Sequence, residues 1–166
     1  MRNNYEYIDP DYTYTDPKIG ILRNLADITE HDGLLFFESL TVTKRVKELE
    51  VQPIAICGVA ALLDIHRYLF QDVYQWAGQK RTVEISKAGK QFFQTAYFDN
   101  AFAYIDTLVS DYRKIDSTNK PNLARLLAVL LDNINYLHPF RDGNGRANGN
   151  LNDKATAEDF SVVQTE

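Results

Sequence analysis

The most regular feature of the chain is an apolar stripe. Leucine or isoleucine stands at 123, 126, 127, 130, 131, 134 and 137. That spacing of three, four and three is one continuous face of an α-helix. Pro121 suits its first turn, and Pro139 disfavours helical backbone at His138, so the helix ends there. Weaker patterns lie upstream. One helix is expected from about Thr29 to Glu48, with Leu34, Leu35, Phe37 and Leu40 inward, although the cluster Thr41-Val42-Thr43 weakens its middle. A second is expected from near Pro53 to about Phe70, burying Ile54, Cys57, Ala61, Ile65, Tyr68 and Leu69. A third spans about Tyr97 to Lys114, with Ala101, Tyr104, Ile105 and Leu108 inward, followed by a polar loop from Asp116 to Lys120. Only one stretch has period two: Arg81-Thr82-Val83-Glu84-Ile85 reads as a short strand. A basic turn, Lys87-Ala88-Gly89-Lys90, and a return strand, Gln91-Phe92-Phe93, would complete a hairpin. Residues 1–28 are polar and rich in tyrosine, with Asp-Pro turns at 9–10 and 16–17. They read as an extended arm laid over the domain. The pattern as a whole is mainly α with one β-hairpin.

Composition narrows the picture. A chain of 166 residues, 45% apolar and 25% charged, fits one globular domain with a real core. The net charge of −5 weighs against a general nucleic-acid binder. No run of 18 apolar residues is present, so no membrane span is expected. The first residues lack the apolar core of a signal peptide. The single cysteine, Cys57, cannot form an internal disulfide, which fits a reducing cytoplasm.

Candidate chemistry is concentrated just after the long stripe, in His138-Pro139-Phe140-Arg141-Asp142-Gly143-Asn144-Gly145-Arg146. His138 offers an acid or base. The Asp142 carboxylate suits a hard cation such as Mg²⁺. Gly143 and Gly145 allow backbone conformations closed to other residues, and successive N–H groups in such a turn form a concave anion site. A helix starting near Arg146 would add positive potential, and the Arg146 fork matches phosphate oxygens. Each feature alone is commonly a cap or a turn; nine residues together point to a loop for phosphate or nucleotide transfer. His66 reads as a packing histidine and Trp76 as a core plug.

This nine-residue stretch resembles the signature of the Fic family, H-P-F-x-[D/E]-G-N-G-R, at every position. The segment Ile65 to Gly78 and the lead-in Tyr14-Thr15-Asp16-Pro17 to Asn24 are also similar to that family, whose likeness covers about residues 10 to 146. The resemblance implies a Fic-type helical bundle with a core over 29–146, a flap hairpin at about 81–94, and a protein adenylyltransferase moving AMP from ATP to a Tyr, Thr or Ser hydroxyl. It implies His138 as the base and Asp142 as the Mg²⁺ ligand. Gly143, Asn144 and Gly145 would cradle the phosphates, and Arg146 would neutralise the outer ones. Phe140 would anchor the loop. Ser86, Lys87 and Gly89 become candidates for lining the ATP site. The flap would dock a target protein as an added strand.

Two departures follow from the same likeness. The second arginine of R-x-x-R falls on Gly149, and Asn148, Gly149, Asn150 and Asn152 are weak helix formers, so 147–166 reads as a polar tail in place of a helix. No inhibitory motif [S/T]-x-x-x-E-[G/N] occurs, which implies a separate antitoxin or a segment beyond this chain. The implied setting is the cytoplasm, or a cell to which the protein is delivered. A weakened remnant that binds nucleotide or a partner, and a phosphotransferase using the same pocket, are the alternative readings.

Overall fold

The computed structural model describes residues 5–150. Four helices carry the fold: α1 His31–Val51, α2 Ala60–Phe70, α3 Phe98–Arg113 and α4 Lys120–Leu137. A fifth, α5, occupies 144–150 of the described chain. Three short strands, β1 Tyr5–Ile8, β2 Glu84–Lys87 and β3 Lys90–Gln91, form an antiparallel sheet in the order β1-β2-β3. Among the described residues no helix is long and apolar enough to cross a membrane.

The α4 stripe forms as its spacing requires. Leu123, Leu126, Leu130, Ile134 and Leu137 are buried, and Asn119 caps the N-terminus by accepting from the Asn122 N–H at 3.3 Å. α3 packs on α4 and α1 on α2. The inner faces of α1 and α3 differ in part from the expected ones. α1 buries Leu34, Glu38, Val42 and Leu49, a stripe stepping by four and seven, while Leu35 and Leu40 are exposed. On α3, Ile105 and Leu108 are inward as expected, but Tyr104 is exposed.

α2 begins at Ala60 rather than near Pro53. The reason is a carboxylate from α3: Asp106 accepts the Val59 N–H at 2.7 Å and fixes the chain's entry into the helix. A Cβ on Gly58 would stand 2.6 Å from that carboxylate, so the turn also needs its glycine. Residues 52–59 are therefore irregular, and Cys57 is exposed, not buried.

The tail departs from expectation as well. The weak helix formers Asn148, Gly149 and Asn150 are helical. The turn at 143–144 launches the helix, and Ala147, fully buried against the core, holds its first turn in place through its N–H bond to the Gly143 carbonyl at 3.0 Å. Tertiary packing outweighs propensities of under about 1 kcal/mol per residue. Residues 151–166 of the expected polar tail lie outside the described chain.

Candidate active site

α4 delivers His138 to the end of the buried stripe. His138 is the C-cap, in the left-handed conformation at φ 46°, ψ 61°, a solution to the conflict between a continuing helix and the following proline. Its Nδ1 lies 3.2 Å from the Asn135 carbonyl. A carbonyl only accepts, so Nδ1 carries the proton and Nε2 keeps its lone pair. Burial pulls the imidazole pKa down to about 4, against a smaller opposing effect of the Asn135 bond. At neutral pH His138 is thus a free base.

The loop after it is held from below. Phe140 is fully buried and stacks on His66, with ring centroids 3.7 Å apart. His66 accepts the Gly78 N–H on Nδ1 at 2.9 Å, so its Nε2–H donates to the Asp142 carbonyl at 3.0 Å. That neutral tautomer agrees with a pKa lowered to about 4, chiefly by burial. His66 is the packing histidine that was expected. Gly143 takes φ +77°, and a Cβ there would lie 2.5 Å from the Phe70 ring. Asn144 closes the loop on itself: its Oδ1 accepts the Phe140 N–H at 2.9 Å and its Nδ2 donates to the Phe140 carbonyl at 2.8 Å. The Asn144 amide is therefore spent on the loop's shape rather than offered to a ligand.

Two charged residues that no pattern in the sequence singled out complete the floor. Arg81, expected on an alternating strand, is only 2% exposed. Its Nε donates to the His138 carbonyl at 2.8 Å, and its two terminal nitrogens donate to the carbonyls of Val83 and Phe93. The strand begins at Glu84, opposite Ile8, rather than at Arg81. Glu38 of α1 is buried, accepts from the Tyr74 hydroxyl and forms an ion pair with Arg146. Arg146 also lies 3.6 Å from the Asp142 carboxylate. Its fork thus already has two acidic partners. Burial and the Glu38 charge push the Tyr74 hydroxyl far above its usual range, so it remains a donor.

A recess of about 230 Å³ is lined by Tyr5, Tyr7, His138 and residues 141–146. The site residues His138, Asp142, Gly143, Asn144, Gly145 and Arg146 meet there. Ser86, Lys87 and Gly89 do not line it. Ser86 Oγ donates to Glu6 at 3.3 Å, Lys87 Nζ donates to the Tyr5 hydroxyl at 3.3 Å, and Gly89 sits at the open tip of the hairpin. The Ala88-Gly89 turn has φ values of 50° and 74°, as a two-residue hairpin loop requires. Tyr5 and Tyr7 were read only as part of an arm; the sequence carries no signal that they reach the site.

The model of the Fic/DOC family matches residues 57–148. The chain belongs to that family. It is 34% identical to the probable protein adenylyltransferase y4lH of Sinorhizobium fredii, over 78% of this chain and 67% of the relative. It is 29% identical to the protein adenylyltransferase VbhT of Bartonella schoenbuchensis, over 80% of this chain but only 28% of that protein. Among solved structures, the BepC protein of Bartonella tribocorum with bound AMPPNP superposes with a TM-score of 0.76 at 20% identity. That match covers 93% of this chain and 83% of BepC. The fold is therefore the mainly helical Fic fold with a small antiparallel sheet.

Proposed function

We propose that the protein transfers AMP from ATP to a Tyr, Thr or Ser hydroxyl of a target protein. The observation that carries this reading is the state of His138: Nδ1 is tied to the Asn135 carbonyl, leaving Nε2 unprotonated at a recess lined by His138 and residues 141–146 of the nine-residue motif. In this reading Nε2 takes the acceptor's proton as its oxygen attacks the α-phosphorus, and pyrophosphate leaves. The N–H groups of Asn144, Gly145 and Arg146, which precede the first helical bond of α5, suit phosphate oxygens. Asp142, a half-buried carboxylate beside that turn, fits a Mg²⁺ ion held by one carboxylate and substrate phosphates. Such an ion would neutralise phosphate charge. Arg146 holds Asp142 in place and shares its charge with the recess.

The acceptor protein docks on the hairpin, and a separate antitoxin bearing an inhibitory helix restrains the enzyme. The setting is a bacterial cytoplasm or a cell into which the protein is delivered. The test is transfer of label from α-³²P-ATP with Mg²⁺ to proteins of a lysate. Label that disappears in His138→Ala and on chelation supports the reading. Label from γ-³²P-ATP instead would replace it with phosphate transfer, and no label from a folded protein would remove it.

A further inference from the structure

Strand β2 has two edges, and both are occupied. β3 takes one; β1, from the far N-terminus, takes the other. In that pairing Tyr5 stands opposite Lys87, Glu6 opposite Ser86, Tyr7 opposite Ile85 and Ile8 opposite Glu84. Side chains alternate along a strand, so Tyr5 and Tyr7 share the face toward the motif loop. The Tyr5 ring stacks on His138 at 5.7 Å, and Phe92 covers the same imidazole at 3.8 Å. The Tyr7 ring lies against the Arg141 guanidinium, 3.3 Å from its centroid. Burial raises the Tyr7 hydroxyl, which stays protonated. With β1 docked, the remaining recess of about 230 Å³ is below the roughly 300–1,000 Å³ of sites that enclose a whole small ligand.

We propose that β1 is a tethered stand-in for the acceptor segment. It marks the edge, direction and register in which an acceptor polypeptide docks, with a tyrosine opposite Lys87 and a second aromatic two residues on, over Arg141. It also competes for that edge from within the same chain. For its chemistry the inference rests on the AMP-transfer reading. The acceptor tyrosine's proton passes to Nε2 of His138, its oxygen bonds to the α-phosphorus of ATP, and the bond to the β-phosphate oxygen breaks to release pyrophosphate. Lys87, 3.3 Å from the Tyr5 hydroxyl, supplies positive charge where that oxygen becomes negative. Backbone pairing provides docking that tolerates many sequences, while the two aromatic positions provide selectivity. A tethered competitor acts at high effective concentration, and one docked nine-tenths of the time weakens apparent acceptor affinity about tenfold.

The probe is a fluorescent peptide with the sequence of residues 3–9, offered to three forms of the full chain. One is unaltered. One is loosened by Tyr5→Ala and Tyr7→Ala. The third carries Glu6→Cys and Ser86→Cys with Cys57→Ser; positions 6 and 86 face each other across the strands, a spacing that a disulfide spans. The peptide is expected to bind the loosened chain about tenfold or more tightly than the unaltered one. It should fail to bind the oxidised lock and bind again on reduction. A peptide with both tyrosines replaced by alanine should bind none of them. With α-labelled ATP, label should enter the first tyrosine of the peptide. Equal binding to the oxidised and reduced lock would overturn the inference, and the lock serves even where the loosened variant misfolds. Binding as expected with no label supports the docking inference and counts against AMP transfer. Label on lysate proteins with no peptide binding counts against the docking inference alone.

Discussion

The two walls of the site are held in different ways. The floor, residues 138–146, is gripped by side chains with almost no exposure: His66, Arg81, Phe140 and the looped-back Asn144. His66, Arg81 and Asn144 each donate to a backbone carbonyl of the loop, those of Asp142, His138 and Phe140, so its shape has little freedom. The roof is the hairpin with β1. There Lys87, Ala88, Gly89, Lys90 and Gln91 are all exposed, and β1 adds four residues through an edge that another strand could use. Chemistry at a phosphate needs donors fixed before the substrate arrives. Docking needs groups that can exchange partners. The molecule places buried charge where the first is required and exposed backbone where the second is.

That contrast can be broken most severely at Arg81. Arg81→Met strands the carbonyls of His138, Val83 and Phe93, and should cost roughly 4 kcal/mol, about 10 °C in thermal midpoint; calorimetry measures it, and a loss of only a degree or two would show the floor to be less constrained. Next is Gly143→Ala. Its Cβ meets the Phe70 ring at 2.5 Å on a backbone at φ +77°, so a loss of about 3 kcal/mol is expected together with loss of AMP transfer.

The pH dependence of stability sharpens the comparison. His66 has a folded pKa of about 4 against an ordinary 6.5. As pH falls, the unfolded chain takes up the proton first, so stability is full above about pH 7, declines between 6.5 and 4, and levels off below. The loss from this group is roughly 3 kcal/mol. Urea unfolding across that range should show a shallower slope in His66→Gln than in the unaltered chain. The smallest effect belongs to the roof. Gly89→Ala meets nothing within 4 Å and carries only the strain of φ +74°, about 1 kcal/mol; a cost matching that of Gly143→Ala would erase the distinction between the walls.

Much of the floor was legible in the sequence because its signals are local. The α4 stripe, the proline that stops it and the Gly-Asn-Gly turn all lie within 24 residues of one another. What was not legible comes from afar. Arg81 looked like one polar position in an alternating strand, and only the fold shows three carbonyls converging on it. Glu38 stands between Phe37 and Ser39 on a helix where Leu34 and Phe37 turn inward as expected but Leu35 and Leu40 do not. Pro53 suggested a helix start, but Asp106, nearly fifty residues away, sets it at Ala60. The pairing of residues 5–8 with 84–87 spans the chain, and a tyrosine-rich arm carries no mark of its partner. Helix propensity misjudged 147–150 because the burial of Ala147 outweighs it.

The Glu38–Arg146 pair also bears on where this protein can be cut. The family model begins at residue 57, yet the counter-charge of its last motif residue comes from α1, which precedes it. A fragment trimmed to the matched span would leave the Arg146 guanidinium with only the Asp142 carboxylate, 3.6 Å away, and the Tyr74 hydroxyl without its acceptor, both beside the motif loop. The smallest portion that can be excised intact, or grafted into another protein, therefore starts ahead of His31. A boundary drawn by likeness alone would part the motif loop from the buried one of its two counter-charges.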